Sequence, residues 1–192
     1  MRLILASASP RRAELLRAAG IEFDVIPADV NEAMDPADHP DAYARRVAQL
    51  KAETVVSLAP GRPVLAADTI VVVDGEVLGK PADAADARRM LGLLSGRTHV
   101  VLTAVCLVDP AAEWVSAQTD VVQTSVEFAP LSRSEIAWYV ASGETTDKAG
   151  AYAIQGLASR FVTRIDGSYS NVVGLPVATV YNMCKKSGFL LS

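Results

Sequence analysis

Residues that can grip and cut a phosphate recur along this chain. The first group lies in LASASPRR, residues 5–12, where Ser7, Ser9, Arg11 and Arg12 follow an apolar run. Pro10 marks a helix start, and that end of a helix carries positive partial charge and favours acids. Two arginines there cost a few tenths of a kcal/mol each unless an anion sits between them. A strand that runs into a helix N-terminus also presents backbone N–H groups, the ordinary phosphate-binding arrangement, and the serines add hydroxyl donors. The competing reading is that the arginines pair with Glu14 or another surface acid.

The second group surrounds AADTIVVVDGEVLGKP, residues 66–81. Asp68 interrupts an otherwise apolar strand. A carboxylate in that setting is costly unless a metal or a cation neutralises it, although a strand-end Asp facing water would look the same in sequence. Lys80 stands between a glycine and a proline on a stiff turn. Lys51 interrupts an apolar helical stripe, either snorkelling to solvent or held at a cleft wall. Glu32 lies in an acidic loop, usually only a solvated run. Yet Mg²⁺ needs just one or two carboxylates plus substrate phosphates, which Glu32 and Asp68 could supply. Gln155 offers a donor and an acceptor, suited to a base edge, or is an ordinary loop amide. Several cations and at least two carboxylates suit metal-assisted phosphoryl chemistry on a small polyphosphate.

The elements that must position these residues are legible from caps and periodicity. Residues 2–6 read as a buried strand and 10–19 as a helix with Ser9 as N-cap and Gly20 as stop. A short strand is expected at 23–27. A helix is expected at 40–58, with Ala44, Ala48, Lys51 and Val55 on one stripe. A long strand, an Asp74-Gly75 hairpin turn and a short return strand follow. A capped helix ends at Gly96, and long paired strands are expected at 100–108 and 114–127. Ser132 and Glu135 form a capping box for a helix ending near Gly143. A strand at 161–165 and a C-terminal helix ending in Lys185 and Lys186 complete the pattern. Irregular alternation with hairpins indicates a mixed α/β sheet.

Composition limits the possibilities. The chain has 192 residues, which suits one domain or one domain with two lobes. A formal net charge of −4 gives no global attraction to nucleic acid polymers, so any anion site is local. Two histidines, His39 and His99, exclude a histidine-rich metal centre and argue against a Ser–His–Asp triad. Cys106 and Cys184 read as buried thiols. No apolar stretch suits a membrane span or a signal-peptide core, and a reducing cytoplasm is the default. Neither a GxGxxG nor a P-loop pattern is present.

Taken together, LASASPRR, AQLKA, AADTIVVVDGEVLGKP, LSGRTHVVLTAV, YVASGETTDKAGAYAIQG and GSYSNVVGLP resemble the Maf family of nucleoside triphosphate pyrophosphatases. The likeness runs through nearly the whole chain. It implies an elongated, twisted mixed sheet flanked by helices, similar to inosine triphosphate pyrophosphatase, within a single domain of two lobes with a central cleft. It implies hydrolysis of a triphosphate to the monophosphate and pyrophosphate with Mg²⁺ or Mn²⁺. By resemblance, Asp68 is the proton acceptor, Lys51 and Lys80 contact phosphate, Glu32 helps hold the metal, and Ser9 and Arg12 match the phosphate-binding first turn. Arg11, Thr69 and Gln155 match the branch acting on dTTP, UTP and related modified pyrimidine nucleotides rather than the branch acting on 7-methyl-GTP. Relatives of this kind often pair as homodimers. A second reading, a nucleotide-binding regulator of septum formation with incidental hydrolysis, accounts less well for a water-activating Asp.

Overall fold

The computed structural model of the chain describes residues 2–35, 38–109 and 116–188. The expected strand residues 114 and 115 lie outside that range. Among the described residues, seven strands and six α-helices form the fold. The sheet is mixed, in the order β2-β1-β3-β5-β6-β7 with β4 paired to β3. These strands are β1 (Leu3–Leu5), β2 (Phe23–Val25), β3 (Val64–Val73), β4 (Glu76–Leu78), β5 (Thr98–Asp109), β6 (Ser116–Phe128) and β7 (Val162–Asp166). The chain divides into two compact units, Met1–Asp68 with Thr103–Val122 and Gly174–Ser192, and Thr69–Leu102 with Gln123–Val173.

In the first unit β1 lies parallel to both β2 and β3, with Leu5 opposite Val25 on one side and Leu65 on the other. Parallel strands covered on both faces read as unbroken apolar runs, and β1 is buried at all three positions. Helix α1 (Pro10–Ala18) starts at Pro10 and stops before Gly20, whose φ of 70° reverses the chain. Leu16 of α1 and Val180, Met183 and Cys184 of the C-terminal helix α6 (Val177–Lys186) pack on Leu3, Leu5, Leu65 and Leu107. Each such side chain contributes about 1.5–3 kcal/mol by leaving water. Helix α2 (Pro40–Val56) buries the expected stripe of Ala44, Ala48, Lys51 and Val55, and Tyr43 and Val47 with it. Both cysteines are buried free thiols.

In the second unit the hairpin β3–β4 turns at Asp74 and Gly75, with φ of 50° and 81°. Positive φ at both central residues is what a twisted two-residue hairpin requires, hence the Asp-Gly pair. Helix α3 (Ala84–Leu94) is capped by Asp83, which accepts from the amides of Ala85 and Asp86. Helix α4 (Arg133–Ala141) has the full Ser132/Glu135 capping box. An edge-to-face aromatic group of His99, Phe128 and Tyr152, extended by Phe161 and Tyr139, fills this unit's interior. A five-residue helix α5 (Tyr169–Val173) is an addition that periodicity is too short to reveal. Its buried Asn171 donates to the Val101 carbonyl and to Thr124 Oγ1, tying α5 to β5 and β6.

Candidate active site

The corner between β1 and α1 is built by Ser7. This buried hydroxyl accepts from the Ser9 amide at 3.2 Å and from Arg12 Nη1 at 3.1 Å. Ser9 has the extended backbone of an N-cap, but its side chain makes no capping bond, a departure from the expected role. The first turn holds no acid either, so its positive end is not neutralised from within the helix. Arg11 is half-buried beside Arg12.

Arg12 has a second attachment that sequence did not reveal. Its Nε donates to the Gly174 carbonyl and its Nη1 to the Ala67 carbonyl, both at 2.8 Å. The planar fork of a guanidinium suits such divided donation. One side chain thereby joins the first helix, the residue preceding Asp68 and the start of the C-terminal segment. Burial lowers the Arg12 pKa, while the charges of Asp68 and Glu32 act against that shift.

Lys51 and Asp68 meet in the interior of this unit. The lysine, one helical turn past Val47 on the buried face of α2, donates to Asp68 Oδ1 at 2.8 Å. It also reaches Glu32 Oε1 at 2.9 Å. Asp68 is only 5% exposed and Lys51 7%, which rules out a water-facing Asp and a snorkelling Lys. Burying a carboxylate is tolerated because the ammonium compensates it. Glu32 lies at the exposed margin, on a loop secured by Tyr43, whose hydroxyl donates to the Glu32 carbonyl at 2.7 Å. Burial raises the Tyr43 pKa to about 12, and the nearby charges of Asp68 and Glu32 add to the shift. The i, i+4 spacing of residues 43, 47 and 51 was the available signal for Tyr43.

Asp68 Oδ2 is buried and has no hydrogen-bond partner among the described residues. This orphaned oxygen and the Glu32 carboxylate give a hard, all-oxygen donor set that fits Mg²⁺ or Mn²⁺. Among the described residues no group of three or more His, Cys, Asp or Glu could hold an ion. Substrate phosphates would therefore have to complete the coordination, as Mg²⁺ sites commonly require.

The structure thus gathers Ser7, Arg12, Glu32, Lys51 and Asp68, with Ser9 and Arg11 on the same corner. Thr69, Lys80 and Gln155 belong to the second unit. Thr69 is half-buried on β3; Lys80 is exposed just beyond β4, where the preceding Gly79 carbonyl accepts from the Gly150 amide. Gln155 is exposed in the turn before a 3₁₀ segment, Leu157–Phe161.

Residues 2–187 match the family model described as Maf-like protein. The chain is 54% identical over 190 residues to the dTTP/UTP pyrophosphatase of Koribacter versatilis (strain Ellin345), covering 99% of this chain and 96% of that protein. It is 54% identical over 187 residues to the protein of the same name from Symbiobacterium thermophilum (strain DSM 24528 / JCM 14929 / IAM 14863 / T), covering 97% and 94%. Among solved structures, the Staphylococcus aureus Ham1 protein aligns with a TM-score of 0.50 at 18% identity, over 67% of this chain and 72% of that one, a likeness of fold. The length of the family match and the identity to these relatives establish that the chain belongs to the Maf family.

Proposed function

We propose that this chain hydrolyses nucleoside triphosphates, dTTP and UTP foremost, to the monophosphate and pyrophosphate. The observation that carries the reading is the buried Lys51 ammonium binding two carboxylates, one of which keeps an unpartnered oxygen. The Asp68 carboxylate takes a proton from a water whose oxygen attacks the α-phosphorus, the bond from that phosphorus to the bridging oxygen breaks, and pyrophosphate leaves. Lys51 holds the Asp68 carboxylate in position through Oδ1. A divalent cation on Glu32 and Asp68 would neutralise phosphate oxygens. The α1 corner, with Ser7, Ser9, Arg11 and Arg12, receives the phosphate tail, and Lys80 adds a further cation.

Substrate choice rests on the relatives' names and on Arg11, Thr69 and Gln155, the pattern of the dTTP and UTP branch. The family resemblance favours the free nucleotide pool of the cytoplasm as the setting and a homodimer as the assembly.

The test is a triphosphate panel with Mg²⁺ or Mn²⁺, scored for released phosphate species. Pyrophosphate from dTTP and UTP, with little from 7-methyl-GTP, is expected. Orthophosphate as the first product, or tight nucleotide binding without turnover, would replace this reading by a γ-phosphatase or a nucleotide-binding regulator.

A further inference from the structure

The turn that carries Gln155 is held at both ends by side chains to which the proposed chemistry gives no role. At its start, the Ala153 amide donates to Tyr139 Oη at 3.0 Å. At its end, the Leu157 amide donates to Glu144 Oε1 at 3.0 Å and the Ala158 amide to Oε2 at 3.4 Å. Burial raises the Tyr139 pKa and the nearby Glu144 carboxylate adds to the shift, so the two anchors are neighbours. Tyr139 belongs to α4, and Glu144 follows the Gly143 reversal that ends it. Helix α4 and the turn that ends it therefore hold the two ends of residues 153–158.

Gly156 points the same way. A Cβ there would overlap Glu144 Oε1. Its φ of −111° lies outside the left-handed region, so a positive φ is not what calls for glycine there. The missing side chain thus serves the approach of the carboxylate, not a left-handed backbone. Glu144 does for the 3₁₀ turn what Asp83 does for α3, with charge-assisted bonds to successive amides.

We propose that Glu144 is a positioning residue for Gln155, fixing the peptide planes from which the carboxamide is presented to the nucleobase. The proposal rests on the reading of Gln155 as the base-facing residue. Displacement by about 1 Å in a positioning group can cost up to about a hundredfold in rate. A binding contact that is loosened rather than lost costs less, and about a fivefold effect is expected from Glu144→Gln, which keeps the volume but only one acceptor.

The experiment measures kcat, KM and thermal stability for dTTP and UTP in Glu144→Gln, Gln155→Ala and the double variant. Gln155→Ala should raise KM about tenfold and Glu144→Gln about fivefold, each with kcat within about twofold. The double variant should be no worse than Gln155→Ala, because the positioning residue has nothing left to position. Multiplicative effects, or a Glu144→Gln loss confined to kcat and matched by lost stability, would overturn the proposal. An unchanged KM in Glu144→Gln alone would overturn it too. An unchanged KM in Gln155→Ala would remove Gln155 from base reading, and the proposal with it. Should Glu144→Gln fail to fold, Gly156→Ala carries the test. Its methyl group displaces the carboxylate and should raise KM. In a Glu144→Ala background the same methyl should add nothing, and any additional rise there would overturn the proposal.

Discussion

Lys51 donates to one oxygen of Asp68 at 2.8 Å, and the other oxygen of that buried carboxylate has no hydrogen-bond partner among the described residues. The pair is asymmetric. Lys51 has a second acid, Glu32, at 2.9 Å, whereas Lys51 is the one ion-pair partner found for Asp68 among the described residues. Removing either member therefore leaves a different remainder.

Lys51→Met strands a buried charge, and truncating one partner of a buried pair costs about 3–5 kcal/mol. Asp68→Asn leaves the ammonium with Glu32 and should cost nearer 1 kcal/mol. Urea unfolding compares the two directly. Activity should follow another order, since loss of a positioned base lowers turnover by about 10²–10⁴. Asp68→Asn with wild-type turnover of dTTP would remove the base assignment.

Tyr43→Phe deletes the hydroxyl that holds the Glu32 carbonyl. The ring remains to fill the buried face of α2, so the stability loss should be about 1 kcal/mol. If Glu32 helps hold the metal, the midpoint of activity against Mg²⁺ concentration should rise by severalfold while kcat at saturating metal stays within about twofold. An unchanged metal midpoint would make Tyr43 a fold residue alone.

Arg12→Lys keeps the charge but loses the fork that serves the carbonyls of residues 67 and 174. A loss of about 2 kcal/mol is expected, since bonds from a charged donor are worth about 1.5–3 kcal/mol. A variant as stable as the parent, with only KM raised, would assign the guanidinium to substrate rather than to the frame.

His99 supplies a pH dependence. It is 1% exposed, hydrogen-bonded to Tyr152 at 2.8 Å, and burial lowers its pKa to about 4 from the ordinary 6.5. Between those values the unfolded chain binds more protons than the folded one. Stability is then fully present above pH 6.5 and declines as the pH falls toward 4, by about 1.4 kcal/mol per unit. His99→Gln should flatten that part of the unfolding free energy measured between pH 7 and pH 4.5. An undiminished slope would assign the acid sensitivity to the carboxylates.

Local order was legible wherever local chemistry decides it. Pro10 and Gly20 bracket α1, Ser132 and Glu135 open α4, and Asp74-Gly75 turns the hairpin. Asp68 and Lys51 could also be singled out from their types, since an acid in a buried strand and a lysine in a buried stripe each demand a partner. What periodicity could not supply was the identity of that partner. The Lys51–Asp68 pair spans 17 positions and the Arg12–Gly174 bond spans 162. Nor could it show that Glu144 approaches Gly156, since a glycine before a turn reads as backbone freedom until a neighbouring carboxylate is seen against it.

The bond from Arg12 to the Gly174 carbonyl also has a consequence for synthesis. A chain emerging from the ribosome exposes its arginine corner 162 residues before the acceptor that locks it. Until that late glycine is released, the guanidinium lacks one of its tethers. Stalled or prematurely terminated chains would therefore carry Asp68 and Lys51 yet lack one of the tethers of the corner beside them.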